Sequence, residues 1–465
     1  MERIWWSLPG GSMTSSSGHP DSGCSMSTAE AIHGHPRVHV ARAERGLSTP
    51  YDVGMTGSTA PTVLVLFVAF LAAMPLVAFV SGRLRFPYTV ALVLVGLVVS
   101  ALPIHESIQL SPGLAVTVLL PGLVFEAAYR LDGDELRRTF GGVALLAVPG
   151  VLVTAAVVAF VLNAATGLPA NEAFLVGAIV SATDPVAVVS TMRRLDAPRR
   201  LVTLVDAESL FNDGTAALAF VIALAALGSQ PPTLADGAIR FAVGLVASVA
   251  IGALSGLLIS RVLKTTSDHL IELTLTVLAA YGTYLVADLL GASGIIASVV
   301  AGIVVGTYGR RVGLSVRAQE AIDVVWEFLA FVLTGAAFLL IGIAIPLDAL
   351  AAAAISIAWG VLAVLVGRAI VVYGLLGGAA RLERRIGLIP SLPLSWLHVI
   401  NWTGLRGAVA TALALAIPDG TPDRELLQGI AFGIVLFTLV VQGTTAERMV
   451  RWAGVSGDDG PSPER

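Results

Sequence analysis

The feature that most constrains this chain is a succession of mostly apolar runs between residues 62 and 447. A helix needs about 20 such residues to cross the hydrocarbon of a bilayer. Thirteen stretches qualify: 62–82, 86–102, 112–129, 141–164, 171–192, 201–228, 237–263, 270–290, 293–308, 321–345, 350–377, 394–417 and 427–447. The ninth is short, and Gly335 marks a possible break in the tenth. Composition agrees. Charged residues make up 13% of the 465 and hydrophobic residues 56%, where a soluble protein carries roughly 25% charge. Mean hydropathy is +0.85. So little charge cannot cover a water-soluble surface, which excludes a soluble enzyme, a nucleic-acid binder and a disordered chain. The net charge of −4 is too small to call for a polyanionic partner. The single cysteine, Cys24, sits in a polar tail and rules out an intrachain disulfide or a thiolate metal cluster.

The placement of Arg and Lys tests this count independently, because cytoplasmic connections are enriched in both. With the N-terminus outside, the cytoplasmic connections receive Arg83 and Arg85; Arg130, Arg137 and Arg138; Arg193, Arg194, Arg199 and Arg200; Arg261 and Lys264; Arg310, Arg311 and Arg317; and Arg381, Arg384 and Arg385. Arg448, Arg451 and Arg465 follow the last span. After the first span, the opposite side receives only Arg240 and Arg424. The expected arrangement is thirteen spans in the plasma (inner) membrane, N-terminus outside and C-terminus cytoplasmic. Residues 61–450 form the membrane domain and 451–465 a short cytoplasmic tail.

Residues 1–60 fall outside this pattern. They are polar, rich in Ser and Gly, and hold His19, His33, His35 and His39, four of the seven histidines. Trp5 and Trp6 are not followed by an apolar core of signal-peptide length. The expectation is a disordered extension rather than a metal site. Met55 stands directly before the first span as an alternative start, and N-terminal sequencing of native protein would decide it.

An ionisable side chain at mid-bilayer costs about 2.5–3.5 kcal/mol even on a lenient insertion scale. Here such residues gather as Glu126, Asp184, Asp206, Glu208, Asp213, Asp288, Arg368 and Arg406. The fifth stretch reads Ser181-Ala182-Thr183-Asp184-Pro185. Pro185 lacks an N–H, clashes with the preceding turn and pushes Asp184 out of helical geometry. The helix should open there and free carbonyls, that of Thr183 among them. Carbonyls and a carboxylate are hard oxygen donors suited to a small hard cation; a plain proline kink is the simpler alternative.

The sixth stretch reads Glu208-Ser209-Leu210-Phe211-Asn212-Asp213-Gly214. Residues four apart share a helical face, so Glu208 and Asn212 form one stripe, and Ser209 and Asp213 the next. The second stripe can complete an oxygen cage with the fifth stretch. Gly214 with Ala216 and Ala217 lets a neighbouring helix come close. The twelfth reads Gly404-Leu405-Arg406-Gly407-Ala408. A buried guanidinium needs an anion and acceptors, and Glu208 is the expected partner of Arg406. If the glycines unwind this helix, Arg406 can cap the negative half-helix end exposed; an anion-substrate clamp is the alternative. Glu126 either completes the cation site or snorkels toward the cytoplasm from its helix end. Arg368 and Asp288 are a candidate structural pair. Stretches five and twelve are seven apart and therefore run in opposite directions, each with a break signal at mid-membrane. This suggests an all-α polytopic protein in which spans 1–6 repeat inverted as spans 8–13, with two broken helices crossing at the midplane.

Ser-Ala-Thr-Asp-Pro at 181–185, Glu-Ser-Leu-Phe-Asn-Asp-Gly at 208–214 and Gly-Leu-Arg-Gly-Ala at 404–408, with Phe125-Glu126 and Val441-Gln442-Gly443, resemble the NhaP/NHE branch of the monovalent cation:proton antiporters. The resemblance covers roughly residues 60–450, with every motif in the family's order. It implies that Asp213 is the carboxylate exchanging cation and proton. Asp184, Ser209 and the Thr183 carbonyl help hold Na⁺, and Glu126 contributes through water. Glu208 and Arg406 form a buried ion pair, and Asn212 occupies the place that electrogenic relatives fill with a second Asp. The resemblance further implies a homodimer, no cofactor, and transport of Na⁺ (or Li⁺ or K⁺) against H⁺ for pH and sodium homeostasis. One departure is Leu333-Thr334-Gly335, where relatives often carry a polar Asn. The expectation is that no large regulatory domain follows the last span.

A carboxylate drawn out of water holds its proton more tightly, and a nearby cation loosens it. A site of this kind takes a proton or Na⁺, one at a time. If the protein moves only when the carboxylate is neutralised, exchange is coupled without ATP, and a neutral Asn212 makes it one for one. A sodium-coupled solute symporter is the rival reading, but it needs a second polar pocket that the sequence does not display. A channel would conduct without counter-ion coupling, and an intramembrane protease would need other surroundings for Asp184-Pro185.

Overall fold

A computed structural model describes residues 59–84, 86–101, 115–228, 230–345, 347–379 and 392–455. The expectations for residues 1–58, including Cys24, the histidines and Met55, lie outside the described residues, as do Arg85, Arg381, Arg384, Arg385 and Arg465. The described chain is helical, and each of the thirteen apolar stretches contains helix. The first half comprises α1 (Thr59–Leu84), α2 (Tyr88–Ser100), α3 (Leu120–Tyr129), α4 (Gly133–Ala147), α5 (Pro149–Thr166), α6 (Ala170–Ser181), α7 (Val186–Arg194) and α8 (Arg199–Ala226). The second comprises α9 (Leu234–Leu263), α10 (His269–Leu289), α11 (Gly294–Val304), α12 (Val316–Ala344), α13 (Leu347–Ala352), α14 (Ala354–Ala369), α15 (Leu394–Trp402), α16 (Ala408–Leu415), α17 (Arg424–Phe437) and α18 (Gly443–Trp452). Among the described residues, nine helical segments are long and apolar enough to cross a membrane, and Val68–Arg83, Tyr88–Ser100 and Thr117–Tyr129 are shorter apolar helices.

Local chemistry sets the helix ends. The Asp132 carboxylate accepts the N–H groups of Asp134 and Glu135 at the start of α4. Thr233 and Asp236 form a reciprocal cap at the start of α9, satisfying donors that a helix leaves open at its N-terminus. Gly167, at φ +74°, closes α5 in the left-handed conformation that glycine tolerates best. Glycine also permits close packing: an added Cβ at Gly342 of α12 would fall on the Val93 carbonyl of α2, and one at Gly214 of α8 would collide with Ile296 of α11. Gly335 meets Met74 in the same way, and α12 runs unbroken from Val316 to Ala344. The possible break there does not occur; the small residue serves packing instead.

α8 is the central element. All ten residues from Leu201 to Leu210 are buried, whereas α9 leaves Leu234, Ile239, Val243, Val246, Leu254 and Leu258 exposed. A helix buried on every side belongs to the interior, and one with a broad apolar exposed face is solvated by lipid.

Two helices are interrupted. Between α6 and α7, residues 182–185 are not helical; Ala182 is extended at φ −62°, ψ 137°, and α7 starts directly after Pro185. Between α15 and α16, residues 403–407 leave the helix. The two interruptions touch: the Asp184 N–H donates to the Leu405 carbonyl at 2.7 Å.

Candidate functional site

Two interrupted segments expose four half-helix ends at one place, and the side chains answer to those ends. The Asp184 carboxylate accepts the Val186 N–H at 3.0 Å and the Ala408 N–H at 3.4 Å. It therefore sits at the N-termini of both α7 and α16, where the helix dipole favours a negative charge. A Cβ at Gly407 would land on that carboxyl group, so glycine is what lets Asp184 bridge the two helices. Arg406 serves the opposite polarity. Its Nε donates to the Val180 carbonyl at the end of α6, at 2.9 Å, and its Nη1 donates to the Gly404 carbonyl. Its backbone N–H donates to Thr438 Oγ1.

Arg406 is thus a cap for exposed carbonyls, one on each broken helix. The ion pair expected between Glu208 and Arg406 is not formed. Glu208 is held by both terminal nitrogens of Arg368, one of them at 2.9 Å. Arg368 also donates to the Ile400 carbonyl. The side chains of Glu208 and Arg368 are 1% and 7% exposed, so the pair is sealed from solvent. The forked geometry explains the preference: a guanidinium meets a carboxylate best in a two-pronged, coplanar contact. Arg406 is already committed to carbonyls. The proposed pairing of Arg368 with Asp288 is overturned by the same contact, and Asp288 lies exposed at the end of α10.

The two stripes of α8 divide as their spacing requires, but both reach Thr183. Asn212 Oδ1 accepts the Thr183 N–H at 3.1 Å, and its Nδ2 donates to Thr183 Oγ1 at 2.6 Å. Thr183 Oγ1 and Ser209 Oγ lie 3.0 Å apart. These bonds pin the interrupted segment to α8, and among the described residues the Thr183 carbonyl accepts none.

Asp213 faces a cavity of about 350 Å³, lined also by Thr183, Asp184, Glu126, Asp206 and Tyr88. Glu126 pairs with Arg130 at 2.6 Å, and Asp206 with Arg193 at 3.1 Å; both arginines line the cavity too. Asp213 is buried, within Coulombic reach of Asp184, and has no hydrogen-bond or ion-pair partner among the described residues. It is the only carboxylate lining this cavity in that position. Donors on offer here are carboxylate, hydroxyl and carbonyl oxygens, a set for a hard cation.

The sequence reading therefore located Thr183, Asp184, Ser209, Asn212 and Asp213 in one place, with Glu126 in the same cavity but salt-bridged. It did not pair Asp206 with Arg193, whose i to i+13 separation carries no helical signal. It also gave no place to Thr438, which answers the unwound backbone at Arg406 from the turn after α17.

Comparisons with known proteins bear on the whole membrane domain. The family profile described as "Sodium/hydrogen exchanger, transmembrane" matches residues 66–452. The chain is 38% identical over 377 residues to the Na(+)/H(+) antiporter ApNhaP of Aphanothece halophytica, covering 80% of this chain and 71% of that one. It is 33% identical over 417 residues to the Na(+)/H(+) antiporter NhaP of Pseudomonas aeruginosa, covering 84% and 96%. The fold matches that of the sodium proton antiporter MjNhaP1 from Methanocaldococcus jannaschii with a TM-score of 0.68 at 18% identity, covering 85% of this chain and 99% of that one.

Proposed function

This chain belongs to the sodium/hydrogen exchanger family and is a multi-pass Na⁺/H⁺ antiporter, and from that premise we propose that Asp213 is the group at which Na⁺ and H⁺ replace one another. The observation that carries this reading is a charge inventory of the cavity. Glu126 and Asp206 are neutralised by arginines. Asp184 rests on two backbone N–H groups at helix N-termini. Among the described residues, Asp213 alone lacks any protein donor, so its charge is left for a mobile partner. A proton satisfies it covalently. A dehydrated Na⁺ satisfies it with help from Asp184, Ser209 and the free Thr183 carbonyl, and Glu126 acts through water.

The surrounding bonds give each remaining residue a supporting task. Asn212 and Thr183 fix the open segment. The Glu208–Arg368 pair ties α8 to α14, and Arg406 caps the carbonyl end of α6. One uncompensated charge binds one H⁺ or one Na⁺, so exchange is electroneutral, one for one. A barrier in the low-dielectric interior keeps the empty, charged site from moving, while either neutralised state can turn to the other side. The thirteen-span, inverted-repeat topology with N-terminus outside, the homodimer and a role in pH and sodium homeostasis at the cell membrane belong to the same reading. The arginine-bearing end of the cavity then faces the cytoplasm.

Reconstituted protein in vesicles with an imposed pH gradient tests it. Adding Na⁺, Li⁺ or K⁺ separately should collapse the gradient for the transported ions. Clamping the membrane potential with a K⁺ ionophore should leave the Na⁺-driven rate unchanged. A rate that grows with potential overturns the one-for-one ratio, and no collapse with any cation overturns the exchange reading.

A further inference from the structure

We propose that the hydroxyl of Thr411 is the first ligand the cation meets beyond Asp213 on the side of the membrane opposite the large cavity; the inference rests on the exchange reading above. Alternating access needs a second route, and three helices indicate where it runs. α3 ends at the arginine-bearing face with Arg130, α12 begins there after Arg310 and Arg311, and both lead away from it. α16 starts beside Asp184 and leads the same way toward Asp419.

Between these helices lies a second cavity of about 20 Å³, bounded by Leu119 and Leu120 of the α3 segment, Ala337 and Ile341 of α12, and Ala408, Thr411 and Leu415 of α16. That is room for about one water-sized particle. Leu120 and Ala408 line both cavities, so these two residues stand between them. An otherwise apolar pocket contains one side-chain oxygen, that of Thr411.

That oxygen is held in readiness. Thr411 is 3% exposed, and its Oγ1 has no partner among the described residues. Hydroxyls in helices ordinarily fold back on a carbonyl three or four residues earlier. Thr191 does so to Ala187, Ser181 to Ala178 and Thr444 to Val440. Thr411 has the Gly407 carbonyl available at that spacing, since its own N–H donates there, yet its hydroxyl makes no bond to it. A buried hydroxyl without a bond is unfavourable, and a site used only when the pocket is occupied accounts for it. Thr411 stands one helical turn beyond Ala408, whose N–H holds Asp184. A cation released from Asp213 past Ala408 reaches the Thr411 oxygen next.

The test compares right-side-out and everted membrane vesicles carrying wild type, Thr411→Val or Thr411→Ser, with a pH dye inside and Na⁺ added outside. The isosteric Val variant should raise the half-saturating Na⁺ concentration about tenfold where the outward face is exposed, the order expected for one lost contact to a charged group. It should leave the value unchanged at the inward face. Thr411→Ser should restore it. Purified Thr411→Val should melt at or above the wild-type temperature, because no hydrogen bond is removed and an unpaired buried hydroxyl is lost. Equal shifts on both faces, no shift on either, or a lowered melting temperature would overturn the inference. An inert wild-type chain would instead overturn the exchange reading, and this inference with it.

Discussion

The partner of Glu208 can be settled by a double-mutant cycle. Arg368→Leu leaves Glu208 charged, 1% exposed and without its two-pronged donor. Breaking a buried pair from one side costs about 3–5 kcal/mol, because the remaining charge is stranded. At about 1–2 °C per kcal/mol for a chain of this size, extended from the scaling of smaller domains, the melting temperature in detergent should fall by roughly 3–10 °C. Adding Glu208→Leu removes the stranded charge, and the double variant should recover most of the loss. Because either single change strands a buried charge, the coupling should reach about 3 kcal/mol or more, the upper end for residues in direct contact. The same cycle on Glu208 and Arg406 should give a smaller coupling, since Arg406 spends its guanidinium on the Val180 and Gly404 carbonyls. Scanning fluorimetry on the four proteins of each cycle reads both numbers. A larger coupling for Glu208 with Arg406 than with Arg368 would refute the assignment.

Other outcomes follow from the same contacts. Asp213→Asn should abolish Na⁺-driven pH-gradient collapse while leaving the melting temperature near wild type, because that side chain has no partner to lose among the described residues. Gly407→Ala should destabilise the protein and depress exchange together, since the new methyl group falls on the Asp184 carboxyl; an active, equally stable variant would contradict the contact. Asn212→Ala strands the buried Thr183 N–H, for about 1–3 kcal/mol, measurable as a lower unfolding midpoint. If one carboxylate holds either ion, protons compete with Na⁺. The half-saturating Na⁺ concentration should then rise as pH falls, by about tenfold per unit once the proton-bound form dominates; a pH-independent value would rule out a shared site.

The helices legible in the sequence were those whose signal is local. Twenty apolar residues in a row have few alternatives to a membrane helix, because every backbone polar group must be satisfied internally. The break at Pro185 was legible because proline removes a donor whatever surrounds it. Gly335 misled for the converse reason: glycine permits a break but does not impose one, and here it makes room for Met74 within an unbroken helix. Asp206 was visible as a costly charge, but its partner Arg193 lies across the α7–α8 turn, where no periodicity points.

By itself, then, the sequence determined what the bilayer demands: an all-helical chain, the places where helices open, and the carboxylates too expensive to be there without use. Only the tertiary structure decided which charge answers which. Arg368 and Arg406 are both buried cations with the same formal charge, and nothing in their local sequence says which one reaches Glu208. That choice depends on where α14 and the 403–407 interruption stand relative to α8. It is made by the direction of two nitrogens, a three-dimensional quantity that residue spacing along a chain does not encode. The same placement leaves Asp213 without a partner among the described residues, and the proposed exchange rests on that vacancy in the charge inventory.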